Sequence, residues 1–285
     1  MCVTLSKADL SQTTLYVGRV REFHVCGYQN LVQNLSTVMQ RRDAASGKKN
    51  QGNAMILPFP AVPGTMSQKN FLTGMDACPH VLKDMADAVS PKPRTVSFGL
   101  KSLRASSVEI FELDIYTVVL AQNARLIADV IGDVPEEKRP PLKLETFRAY
   151  DDWYGWPTAV CCFNNEEAAL ANPIMAWYEP LRPEFLFAPA LDCHTGDVPD
   201  LRAQVRVDHT LVVGADAAPS GKGATVDYQD DIPPHVQPYL PGRVMGGQLR
   251  LMMSNGDFVF RVDQVEQGVY RPMRLLPPGV RRGGV

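Results

Sequence analysis

The chain lacks any stretch reaching the roughly 18 consecutive apolar residues that a membrane-spanning helix needs. Its first residues, MCVTLSKADL, show no charged segment leading into an apolar core, so no secretory leader is expected. An excess of one charge is also missing. The 29 Lys and Arg residues against 31 Asp and Glu residues leave a net charge of −2. That balance gives no electrostatic term of the size used for nucleic-acid binding, and neither a nucleic-acid nor a membrane partner is expected. Six cysteines contain no CxxC pair, and the adjacent Cys161 and Cys162 are poorly placed to bridge each other. Such usage fits a reduced compartment, and a cytoplasmic location is expected. No GxSxG, HExxH or GxGxxG signature occurs. The stretch PSGKGATV (219–226) lacks the Ser or Thr that follows Lys in a phosphate loop, so it reads as a surface turn.

What is abundant is proline, at 23 residues beside 21 glycines, clustered in LPFPAVPG, IPPHVQPYLPG and LLPPG. Proline stops helices and is tolerated at turns and strand edges. A mainly β, α+β fold is expected, with several antiparallel strands and hairpins and two to three short helices. The aliphatic and aromatic content is ample for a core.

β-branched and aromatic runs at 2–6 and 13–20 suggest an opening hairpin, with a third strand at 23–32. QRRDAASGKKNQGN (40–53) reads as an exposed loop and AMILPFPAV (54–62) as a strand ended by prolines. Val81, Leu82, Met85, Ala86 and Val89 share one face of a short helix over 79–89. Strands follow at 94–100 and 107–121. The clearest helical stripe is Leu126, Ile127, Val130 and Ile131, within 123–134. EEKRPP is a linker, which suggests an N-terminal β-rich region 1–134 and a C-terminal one 142–285, a single continuous domain being the alternative. Beyond it, a short helix at 165–171 and strands at 174–181, 184–191, 203–214, 248–254 and 257–265 are expected. Asn255-Gly256 suggests a tight hairpin between the last two.

The second residue is a cysteine. If the initiator methionine is removed, Cys2 offers a nucleophile beside its own base, the α-amine. A nearby cation would favour the thiolate, and the expected hairpin would supply Arg19 from LYVGRV, with Glu22 three residues on. At this point the sequence resembles the N-terminal cysteine hydrolases of the choloylglycine hydrolase and penicillin V acylase type. The resemblance covers about twenty residues: Met1-Cys2-Val3-Thr4 and then Val17-Gly18-Arg19, with Glu22 in place of the family's Asp. It implies amide hydrolysis through an acyl-cysteine on a four-layer αββα fold, with Asn53 as the oxyanion-side candidate. The stretch from about 54 to 190 also looks like a bacterial β-rich domain family without an assigned function, which implies no site.

Asp192, His194 and His209 lie in LDCHTGDVPD and VRVDHT, where two imidazoles and a carboxylate suggest a divalent metal. A proline-bracketed turn capped by aspartates accounts for the same residues. Trp153, Tyr154, Trp156, Trp177 and Tyr178 read as core or interface aromatics, with a ligand pocket as the alternative. No cofactor is required by any motif. By elimination, the function expected is that of a binding protein, self-assembling or structural, acting through a protein partner or a second copy of itself. The alternatives are an N-terminal-cysteine amide hydrolase and a metal-assisted hydrolase.

Overall fold

The computed structural model describes residues 3–6, 9–33, 52–90, 108–164 and 171–280. The expected strand at 94–100, and all but the ends of the expected loop at 40–53 and helix at 165–171, lie outside the described residues. The fold is mixed α/β, dominated by antiparallel strands with a few short helices.

One sheet has the order β1 (Val3–Thr4), β4 (Asn53–Pro58), β7 (Thr158–Phe163), β6 (Tyr116–Ala121), β5 (Val108–Leu113). A second has the order β11 (Ala224–Thr225), β12 (Arg243–Ser254), β10 (Gln204–Gly214), β2 (Asp9–Val20), β3 (Phe23–Gln33), β8 (Ile174–Tyr178). Both sheets draw strands from either side of the EEKRPP linker. A third, small sheet joins β14 (Met273–Leu275), β13 (Asp257–Arg261) and β9 (Phe185–Ala188).

The two large sheets pack face to face, and the period-two rule sorts their side chains. Met55, Leu57, Val118, Leu120, Cys161 and Phe163 of the first meet Leu15, Val17, Tyr28, Val207, Leu211 and Val213 of the second. The intervening residues face outward under helices. Ala54, Ile56, Val119 and Val160 pack beneath α2 (Ile127–Val130) and α3 (Leu144–Trp153). Tyr16, Val25, Met175 and Val212 pack beneath α1 (Val81–Val89) through Val81, Leu82 and Met85. The layer order is therefore helix, sheet, sheet, helix. Strands covered on both faces read as continuous apolar runs, as in YTVVLA and TAVCCF.

Several local expectations are corrected. Residues 2–6 and 13–20 do not form a hairpin: β1 pairs with β4, Val3 opposite Ile56, whereas β2 pairs with β3 and, in parallel, with β10. The buried Asn53 side chain causes this departure. It accepts from the Ser6 N–H at 2.9 Å and donates to the Ser6 carbonyl at 3.3 Å, which fixes where the chain leaves the first sheet. The 107–121 run is a hairpin, turning at Asp114 with a left-handed φ of 55°. The 123–134 segment is only a short α-turn between two 3-10 turns. The longer helix α3 was not expected. Its Phe147 and Tyr150 supply the buried face.

Asn255-Gly256 is not a hairpin turn, because β12 and β13 belong to different sheets. Asn255 is buried and acts as a clasp. Its Oδ1 accepts from the Asp192 N–H, and its Nδ2 donates to the Asp192 and Asp200 carbonyls, at 2.9, 2.9 and 3.1 Å. A Cβ at Gly256 would lie 2.4 Å from the Leu275 carbonyl oxygen, so only glycine passes here. The expected strand at 257–265 ends at Arg261 and turns into α4 (Val262–Glu266).

Candidate functional site

Cys2 lies outside the described residues, but its neighbour Val3 is placed. Val3 forms a parallel bridge to Cys193, and the Thr4 N–H donates to the Cys193 carbonyl at 2.9 Å. Cys193 is flanked by Asp192 and His194, whose Oδ1 and Nε2 are 3.1 Å apart. Burial pushes the Asp192 carboxyl upward, and the His194 imidazole opposes that shift. Val3 therefore lies against the backbone of Cys193, between Asp192 and His194, whereas Arg19 pairs with Glu266. Asn53 is committed to the Ser6 backbone and to the Ala54 N–H, which donates to its Oδ1 at 2.8 Å.

His209 is fully buried in β10, opposite Leu249 and Thr13, with its ring 6.4 Å from that of Phe258. Among the described residues no group of three His, Cys, Asp or Glu side chains is arranged to hold a metal ion, Asp192, His194 and His209 included. Strand pairing fixes the His209 ring inside the inter-sheet layer, while Asp192 and His194 follow the loop after β9. Proximity along the chain does not bring the two segments' side chains together.

Beside them lies a sealed polar hub. Asp257 accepts from the Ala190 and Leu191 N–H groups at 2.8 and 3.2 Å and from the Tyr154 hydroxyl at 2.6 Å. Burial raises its pKa, and these donors only partly offset the shift. Arg274 stacks on Phe258 at 4.4 Å and donates to the Ser254 carbonyl at 3.0 Å, and burial lowers its pKa to about 10. The adjoining cavity of about 10 Å³, lined by Val3, Tyr150 and Tyr154 among others, has room for one water at most. This cluster holds loops together and offers no space for a substrate. Of the five aromatics singled out from the sequence, Tyr154 and Tyr178 are core residues, and the three tryptophans pack partly buried against core clusters.

Arg19 lies elsewhere. It ends β2 and forms an ion pair with Glu266 of α4, a partner 247 residues away. Glu22 stays exposed in the β2–β3 turn, next to Arg21, whose φ is +56°. A cleft of about 320 Å³ opens here, walled by Tyr16, Arg19, Arg21, Asp216, Val262 and Glu266. The Asp216 carboxylate is held by the Gly242 and Arg243 N–H groups at 3.1 and 2.7 Å.

The remaining unusual surface is a strand edge. β12 pairs with β10 along its whole length, but on its other side β11 covers only Val244 and Arg243. From Gly246 to Ser254 no strand among the described residues pairs with that side. Leu251 and Met252 are 45% and 58% exposed. Successive strand residues point to opposite faces, so the strand projects past its covering layer on both. Arg250, 3.5 Å from Asp208, is the one charged residue of this stretch.

Three of the described thiols offer little chemistry. Cys26 and Cys78 are buried, which pushes both up to about 12, and burial also raises Cys162. No protein-family model, no curated protein sequence and no solved structure matches the chain.

Proposed function

We propose that the protein is a self-associating binding protein whose interface is the β12 edge, and that the partner seated there is a second copy of the same chain. The observation that carries this reading is the nine-residue edge 246–254, unpaired among the described residues and carrying the exposed Leu251 and Met252. At about 3.3 Å per residue it presents roughly 30 Å of backbone donors and acceptors. Natural proteins protect such edges with lysines, prolines or bulges, and this one carries a single arginine. Two copies placed antiparallel about Leu251 set Leu249 opposite Met253 and Arg250 opposite Met252, with no like charges facing. The register centred on Arg250 would oppose two guanidinium groups, so the Leu251 register is favoured. Burying the exposed half of these four apolar side chains gives about 3–6 kcal/mol, and each new backbone hydrogen bond adds about 0.5–1.5 kcal/mol, against an association cost of about 4–15 kcal/mol. A reversible dimer follows from that balance.

Sedimentation velocity over a range of concentrations tests this. The wild-type chain should shift from monomer to dimer as concentration rises, and Leu251→Lys with Met252→Lys should hold it monomeric with unchanged circular dichroism. A wild-type monomer at every concentration overturns the reading, as does a dimer that survives the double substitution. So does binding of a different protein to the same edge while the chain itself stays monomeric.

Two observations support a second reading, the N-terminal cysteine hydrolase. The layer order is the one the resemblance implies, and Val3, the neighbour of Cys2, bridges Cys193 between Asp192 and His194. On this reading Cys2 is the nucleophile and His194 assists it, in place of Arg19. Intact mass reports removal of Met1. Alkylation of Cys2 near neutral pH should be lost in His194→Ala and kept in Arg19→Ala. A retained Met1, or alkylation indifferent to His194, removes this reading.

A further inference from the structure

The cleft at Arg19 opens core side chains onto a charged rim. Its walls include the aliphatic side chains of Leu186, Leu240, Val262 and Val265. Its volume of about 320 Å³ equals roughly ten waters of liquid, a space for a small aliphatic molecule rather than a peptide. At its rim stand Arg19 and Arg21. Arg19 is 43% exposed and Glu266 37% exposed, so their ion pair is open to solvent and to exchange. Arg21 takes a left-handed backbone in the tight β2–β3 turn, which presents it at the cleft.

At the inner end sits Tyr16. Its ring is buried to 1% exposure, yet it lines the cleft, and its hydroxyl makes no hydrogen bond to the described residues. That hydroxyl occupies a cleared space: a Cβ on Gly18 would come 2.2 Å from it and one on Gly214 3.3 Å. Burial and the negative charge of Asp216 hold Tyr16 protonated far above neutral pH, so it serves only as a neutral donor. A tyrosine hydroxyl at the inner end, two guanidinium groups on a rim shared with the Glu266 carboxylate, an Asp216 carboxylate already held by the Gly242 and Arg243 N–H groups, and an aliphatic wall recognise one chemistry.

We propose that this cleft binds a small aliphatic carboxylate. The ligand's carboxylate takes Arg19, with the Glu266 carboxylate as the internal group it displaces, and accepts from the Tyr16 hydroxyl. Its hydrocarbon lies against Leu186, Leu240 and Val265. Glu266 already shows the pairing: a carboxylate on a short aliphatic stem, seated on Arg19. The cleft lies beyond the Gly214 end of β10, away from Leu251 and Met252, so the proposal stands apart from self-association.

Calorimetric titration of the full chain with octanoate, octanol and octylammonium tests it. Octanoate should bind saturably, and the two other probes about tenfold more weakly or not at all. Arg19→Met should weaken octanoate about tenfold, and Tyr16→Phe by about threefold to tenfold. Glu266→Gln should tighten it, because the internal competitor is gone. Arg21→Ala, on an exposed turn, gives a second weakened variant should Arg19→Met perturb the circular dichroism spectrum. Absence of saturable octanoate binding overturns the proposal. So does octanol binding as well as octanoate, or an affinity unchanged in both arginine variants.

Discussion

Two arginine–carboxylate sites in this protein use the same residue types to opposite ends. Around Asp257, two backbone N–H groups and the Tyr154 hydroxyl fill the carboxylate's acceptor positions, while Arg274 is shielded by Phe258. Around Arg19, the guanidinium is half exposed beside Glu266, and the Tyr16 hydroxyl lines the same cleft. The Asp257 carboxylate is satisfied and closed off, and it ties the Ala190–Asp192 segment to β13. The second site is open to solvent, and its ion pair can exchange. A charged group near an arginine thus indicates function only when its hydrogen-bonding capacity is not already met by the fold.

The difference can be broken at its strongest point. Asp257→Ala strips the Tyr154 hydroxyl and two N–H groups of their acceptor and leaves Arg274 short of its counter-charge. Urea unfolding should show a loss of about 3–5 kcal/mol. A loss within 1 kcal/mol would mean the hub is as replaceable as a surface pair.

His24, directly across from Arg19 on β3, sharpens the contrast, since it is buried while its neighbour is not. Burial lowers its pKa to about 4, against about 6.5 when unfolded. The neutral ring is therefore favoured in the folded chain. Its contribution is fully present above about pH 6.5 and is lost as pH falls toward 4, a drop of about 3 kcal/mol. His24→Phe should flatten that part of the stability–pH curve, and an unchanged slope would place the titrating group elsewhere.

Gly18→Ala should cost about 1–3 kcal/mol by overpacking, because the new methyl meets the Tyr16 hydroxyl. Arg19→Met is the smallest effect. Breaking an exposed ion pair should change stability by less than about 1 kcal/mol, even though octanoate binding falls. A large destabilisation there would mark Arg19 as a structural residue and erase the contrast.

Local pattern carried much of the fold into the sequence. The α1 stripe, the β10 alternation and the proline-bounded β4 were all legible, because each depends on residues within one element. What escaped depended on distant partners. Val3 could not announce Ile56, and the β5–β6 turn at Asp114-Ile115 contains neither glycine nor proline. Asn255-Gly256 carries the composition of a hairpin turn, yet it is shaped by Asp192 and Leu275. The helix α3 had a readable signal in Phe147, Tyr150 and Tyr154, obscured by the prolines before it. At the candidate site Arg19 was identifiable as a cation on a strand. Glu266, Tyr16 and the cleft were not, because chain ends far apart in sequence assemble them.

The parallel pairing of β2 with β10, Thr13 opposite His209, sets a condition on biosynthesis. Once β2 has left the ribosome it must wait for a neighbour encoded about 200 residues later. At translation speeds of roughly 5–20 residues per second that is an interval of about 10–40 s. Throughout it, half of the central sheet is a nascent polypeptide with an unprotected flank. Such a chain needs chaperone shelter during synthesis more than it does once complete.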